Sequence, residues 1–281
     1  MLPADLIGIL SGLTSAIVWG GGDFLGGLAT RRIHQFQVVV LAALTGAAIF
    51  LPFAILLNEP IPSASSLAWS AAAGVSGAVG VAAFYRALST GASAMVAPTA
   101  AVVGAAVPVV VAGVLEGLPS PSHGVGIALG LAGIWLVSSP ATSGNRGGRR
   151  EFGLAVLAGA GFGGFFVFIA QVDEGLIFGP LVVAKLAALC FGVLALLGRR
   201  QSLPRPAGNS LALLAGVLDA GGNLFYLVAQ QYTTLAIAAV LSSMYPISTI
   251  ILSRTVLHER VVRRQALGVG VCLAAVVLIA V

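Results

Sequence analysis

The chain has 281 residues, of which 58% are hydrophobic and 8% charged, against roughly 25% charged in an ordinary soluble domain. With a mean hydropathy of +1.05, its 14 basic and 9 acidic side chains cannot cover a water-soluble fold of this length, so the apolar surplus must face lipid. The net charge of +5 does not read as nucleic-acid binding, because the arginines form short clusters between apolar runs and no stretch is both basic and aromatic.

A helix that crosses a bilayer needs about 20 apolar residues. Ten such runs follow in chain order, at about 6–28, 36–57, 67–88, 93–115, 124–140, 152–171, 176–197, 209–230, 234–256 and 266–281. The opening MLPAD has no basic segment, and its apolar run continues past residue 20, so a cleavable signal is not expected. The separators, such as NEPIPSASS, GLPSPSH and GRRQSLPRPAGN, are rich in Pro, Ser, Gly and Arg, as turns in water should be. None could hold a soluble domain. Cys190 and Cys272 fall inside apolar runs and are expected to be buried, inert thiols.

The two halves resemble each other. AGVSGAVGVAAFY (73–85) is similar to AGVLDAGGNLFY (215–226). Some thirty residues after each FY comes a glutamate that ends an apolar run, Glu116 and then Glu259, and after each glutamate lies a glycine-bearing last span. The register is about half the chain. Residues 1–140 and 152–281 therefore read as two five-helix units joined by 141–151. Five is odd, so the second unit enters the membrane upside down. An inverted repeat marks a transporter whose site lies between the halves. The fold class expected is all-α: ten transmembrane helices as two inverted five-helix repeats.

Arginines fix the expected orientation. All thirteen lie in or beside the loops on one side, and the opposite side carries Asp5, Glu59, Glu116, Asp173 and Glu174. Basic loops stay in the cytoplasm. Loops 29–35, 140–151, 198–208 and 258–265 are thus expected inside a bacterial-type plasma (inner) membrane, with both termini outside.

Ionisable groups within spans mark a pathway because they are expensive to place there. Asp23 sits in WGGGDFLGG. It either reaches interfacial water beside a tightly packed glycine face or lines a cavity as a solute or proton contact. Lys185 lies 18 residues before the middle of a hairpin loop near residue 203, and Asp219 lies 16 after it. In antiparallel helices this puts the two at one depth. They either form an ion pair that holds the halves in register or face the pathway. Asp219, Asn223, Tyr226 and Gln230 follow one another at spacings of four, three and four. They make a polar stripe along one helix face, for a site or for interhelical bonds. Trp19, Tyr85 and Tyr245 read as cavity lining or interface anchors. Gln171 reads as a helix cap. Glu116 and Glu259 read as helix-end acids for gating or structural salt bridges, with Arg263 the candidate partner of Glu259.

His34, His123 and His258 sit at loop edges away from the cysteines, so no metal is expected. GASA around Ser93 has no intramembrane histidine to act as base, and no Walker loop is present, so neither an enzyme nor an ATP-driven pump is expected.

Trp19–Gly20 in the first span, Phe84–Tyr85 with the following AL and GAS, and Met244–Tyr245–Pro246 with Glu259 thirteen residues on together resemble the EamA-type transporters of the drug/metabolite transporter superfamily. The resemblance implies ten spans, no cofactor, and transport of amino acids, nucleobase-like compounds or related polar metabolites, often outward. Two features depart from it. Pro98 and Pro108 are displaced from the position that Pro246 would have in the fourth span. The family pattern implies cytoplasmic termini, where the arginines imply external ones. The expected partners are a small-molecule substrate, protons in a possible coupled step and the lipid bilayer, in a monomer or homodimer without nucleic acid. A passive facilitator or channel, an uptake permease without ion coupling and a small-molecule sensor remain as alternatives.

Overall fold

The computed structural model describes residues 3–88, 93–139, 148–258 and 262–280. Glu259 lies outside them. The described residues form eleven helices and no strand: α1 (Ala4–Ala29), α2 (Gln35–Leu56), α3 (Ala64–Leu88), α4 (Ser93–Leu115), α5 (Pro121–Ser138), α6 (Arg149–Ile169), α7 (Phe178–Gly198), α8 (Ser210–Tyr232), α9 (Leu235–Ser242), α10 (Pro246–Val256) and α11 (Arg263–Ala280). Ten segments are long and apolar enough to cross a membrane, because α9 and α10 together make one of them, Leu235–Val256.

The break between α9 and α10 was not expected from the sequence. Pro246 has no N–H to bond back to α9 and stands at the first position of α10, where none is needed. The chain nearby finds other partners. Met244 N–H reaches only three residues back, to Leu241, and Thr249 Oγ1 donates to the carbonyls of Gly20 (3.1 Å) and Tyr245 (3.3 Å). Irregular backbone at membrane depth survives only where it is satisfied in this way.

Helix packing repeats itself across the two halves. α1 lies along α8 as α6 lies along α3. α2 packs on α8 as α7 packs on α3, α2 on α7, and α5 on α11. Exchanging the first five spans for the second five maps this set of contacts onto itself, as a two-fold axis in the membrane plane requires.

Between helices in lipid, close approach replaces the hydrophobic drive. Gly74 shows how close. A Cβ added there would lie 2.0 Å from the carbonyl oxygen of Ala184. The obstacle is backbone, so α3 and α7 would have to part. Gly74→Ala is expected to destabilise the protein on the order of 2–3 kcal/mol, the upper range for overpacking. In detergent, its thermal midpoint should fall by roughly 4–12 °C. An unchanged midpoint would refute the close crossing. Large apolar side chains such as Ile17, Val110 and Leu194 are exposed on the outer surface, where acyl chains would cover them. The cysteine expectation holds for one residue only: Cys272 is buried, whereas Cys190 is exposed.

Candidate functional site

A cavity of about 150 Å³ lies between the two repeats. α1, α2 and α3 wall it from one half, α6, α7 and α8 from the other, and Tyr245 closes it at the α9–α10 break. Its polar lining is Trp19, Asp23, Tyr85, Lys185, Asp219, Asn223 and Tyr245. Seven of the nine residues proposed for the pathway thus come together.

Lys185 and Asp219 pair, as their matched depths suggest: Lys185 Nζ donates to the Asp219 carboxylate. The lysine side chain is 9% exposed and that of Asp219 39%, on the cavity side. The lysine stem lies across Gly46, where a Cβ would meet its Cδ and Cε at 2.9 Å. The other Asp219 oxygen accepts from Asn223 Nδ2 at 3.0 Å, and the same amide donates to the Asp219 backbone carbonyl. Both oxygens of Asp219 are therefore engaged.

Asp23 differs. It is half-buried and has no hydrogen-bond or ion-pair partner among the described residues. The surrounding glycines serve both readings of WGGGDFLGG. Gly20 meets the α9–α10 break, with a notional Cβ 2.5 Å from the Tyr245 carbonyl, and Gly26 receives the Tyr85 hydroxyl at 2.3 Å from its own. Gly27 faces open space. The run is thus a packing face and a cavity wall together.

A second, wider cavity of about 930 Å³ lies on the arginine-bearing side, against Arg31, Arg32, His34 and Arg86. Asp23, Tyr85 and Tyr245 line both spaces and so stand at their junction. His34 caps α2 and accepts from Phe36 N–H. Partial burial, then the charges of Arg199 and Arg86, hold its imidazole below the ordinary value.

On the opposite, acidic side the repeats are latched together. Asn58 adopts a left-handed conformation (φ 49°), tolerable for asparagine, and turns the chain after α2 so that Glu59 reaches α7. Ile177, the residue before α7, offers no side-chain cap. Glu59 supplies one: Oε1 accepts from the N–H of Ile177 (2.6 Å) and Phe178 (3.0 Å), and Oε2 from that of Gly179. Phe178 stacks on Phe53 beside it. Asp173 accepts from Ser63 N–H and Oγ, both at 3.0 Å, and Ser66 Oγ accepts from Asp173 N–H. These bonds hold the Asp173 carboxyl below its ordinary value, so it keeps its charge at neutral pH. Glu116 Oε1 accepts from Leu235 N–H at 3.2 Å, the first residue of α9. Glu116 thus bonds across the repeats, from the end of α4 to the start of α9.

Two expected pathway residues stand elsewhere. Tyr226 is fully buried, donates to the Phe166 carbonyl (3.0 Å) and packs among Trp19, Phe165 and Phe166. Its hydroxyl ties α8 to α6 and does not line the cavity. Gln230, one turn further, is also outside the lining. Gln171 bonds its own helix at Val167, as a cap does. Among the described residues no cluster of His, Cys, Asp and Glu suits a metal. Glu59 was missed as a site residue. Its only signal is that it follows the end of α2 on the side where Glu116 follows α4.

Comparison with known proteins gives three findings. No curated protein matches the sequence. A solved crystal structure superposes with a TM-score of 0.76 at 18% identity, covering 96% of this chain and 95% of that one, which shows a shared fold. A sequence model described as the EamA-like transporter family matches twice, at residues 6–139 and 150–281. The two matches fall on the two five-span units, one on each side of the cavity, and the protein is therefore a multi-pass membrane protein of the EamA-like transporter family.

Proposed function

We propose that the protein is a secondary transporter that moves a small polar metabolite, such as an amino acid or a related compound, by alternating access between its two repeats. The observation that supports this most is the polar cavity between the halves, joined at Asp23, Tyr85 and Tyr245 to a vestibule on one side while carboxylates latch the halves together on the other. This is the arrangement of a carrier open toward its arginine-bearing face. Placing that face in the cytoplasm of a bacterial-type inner membrane follows the arginine bias. The protein acts on its substrate without covalent chemistry. A proton is the coupling ion this lining favours, since its ionisable groups sit where both spaces meet.

Flux into proteoliposomes tests the reading. Uptake of the transported metabolite should saturate and respond to an imposed pH gradient. Flux linear in concentration would indicate a passive facilitator, and a saturable flux indifferent to the gradient would remove the proton. Absence of flux across a broad panel of metabolites would overturn transport. Impermeant labelling of a cysteine placed at Ser202 fixes the orientation, since the bias expects protection in right-side-out vesicles.

A further inference from the structure

The transport reading leaves the charge of the substrate open, and the cavity lining constrains it. Three charged side chains line the space: Asp23, Lys185 and Asp219. Two carboxylates and one ammonium leave one negative charge in excess. The excess has an address. Lys185 is bonded to Asp219, and the second Asp219 oxygen is taken by Asn223. Asp23 alone has no hydrogen-bond or ion-pair partner among the described residues, yet it faces both cavities. A half-buried carboxylate without a partner is costly unless a counter-charge or a proton joins it. The walls near it are aromatic: Trp19, Tyr85, Phe165 and Tyr245. Ring faces attract cations, more strongly where water is excluded.

Resting on the carrier reading, we infer that Asp23 is the docking point for the cationic nitrogen of an organic amine with a compact apolar or aromatic body, and that this nitrogen and a proton exclude each other there. The titratable and charged groups that face Asp23 are Asp219 on α8, Lys185 on α7, Tyr85 on α3 and Tyr245 at the α9–α10 break. Of these only Lys185 is cationic, and it is already bonded. Arg31, Arg32 and Arg86 are exposed in the vestibule, and His34, whose imidazole gains charge as the pH falls, lines it with them. Arg31 is eight residues further along the chain, roughly 12 Å at the rise of a helix. That is beyond the screening length of about 8 Å in physiological salt. No ion pair joins an arginine to Asp23 among the described residues.

Binding to the full-length protein in detergent decides this. The probes are phenethylammonium, which keeps its charge from pH 4 to 8, and phenylpropionate, its anionic counterpart of similar shape. Phenethylammonium should bind, weaken at least tenfold between pH 8 and pH 4, and weaken at least tenfold in Asp23→Asn. Asp23→Glu, which restores the charge, should recover binding. Phenylpropionate should not compete. Preference for the anion, no binding of the amine, affinity indifferent to pH in the unmodified protein, or full amine binding by Asp23→Asn would each overturn the inference. Repeating the pH series in His34→Gln, which removes the vestibule imidazole, assigns the loss to the carboxylate even if Asp23→Asn fails to fold. The two readings fail separately. Saturable flux of a metabolite with no amine binding sinks this inference and leaves the carrier. Amine binding at Asp23 in a protein that passes no solute sinks the carrier and leaves this inference.

Discussion

Replacing Glu59 with glutamine is expected to open the acidic face of the protein. Glu59 accepts from three consecutive backbone N–H groups at the start of α7. A carboxylate there gains from charge-assisted bonds, about 1.5–3 kcal/mol each, and from the positive end of the helix. Glutamine keeps one acceptor oxygen and turns an NH₂ group toward donors. Water at the loop re-solvates the freed N–H groups, so the net loss is about 2–3 kcal/mol. If this latch holds only one of two states, that loss shifts their ratio roughly 30- to 150-fold toward the state open on the acidic face. On the arginine side the matching α2–α7 contact carries no carboxylate: Gln37 donates to the Ser202 carbonyl (2.9 Å), and Arg199 lies over the Phe36 ring. Among the described residues, this α2–α7 contact has no bond of comparable strength to offset the loss of Glu59. The measurement is the rate at which an impermeant maleimide labels a cysteine placed at Phe178, with Cys190 and Cys272 replaced. It should rise tenfold or more with Glu59→Gln. An unchanged rate would mean that the Asp173–Ser63 bonds hold the face shut without Glu59.

Glu59 also shows where a sequence stops being legible. Spans read easily because lipid imposes about 20 apolar residues on every crossing, and the repeat reads because the pattern recurs at half the chain length. The Lys185–Asp219 pair reads because a hairpin converts sequence distance into depth. None of this extends to Glu59, whose partners are backbone N–H groups 118 to 120 residues away. Any sequence offers such groups, so no residue type announces them. The stripe on α8 fails differently. Its spacing puts Asp219, Asn223 and Tyr226 on one face, but that face changes neighbours along its length. At Asp219 and Asn223 it borders the cavity, and by Tyr226 the rings of Trp19, Phe165 and Phe166 cover it. Periodicity gives the face and not what covers it. The break before Pro246 was hidden for a related reason. Pro52, Pro98 and Pro108 sit inside continuous helices, so a proline alone does not say which span will part. Tertiary partners such as Gly20, which accepts from Thr249, decide it.

Lys185→Met should produce the largest loss of stability, and the reason separates the two roles left open for the pair. Methionine nearly matches the volume of the lysine stem over Gly46, so packing changes little. The charge is lost, and Asp219 keeps only Asn223. Removing one partner of a buried pair costs about 3–5 kcal/mol, mostly as the penalty of the charge left behind. The Asp219 side chain is 39% exposed to the cavity, and water there lowers the cost toward about 3 kcal/mol. The thermal midpoint in detergent should fall by roughly 6–12 °C. Adding Asp219→Asn removes the stranded charge. The double variant should regain most of the midpoint, because a buried pair and a neutral polar replacement differ far less than a pair and its broken half. A double variant as unstable as the single one would show that the lysine acts through something other than Asp219. Flux then assigns the role. If the pair only fastens α7 to α8, the double variant should transport at near the original rate once its stability returns. If the pair faces the solute, stability returns and transport does not. The geometry favours the second outcome, since Asp219 opens onto the same cavity as Asp23 and stands between the two halves that must move past it.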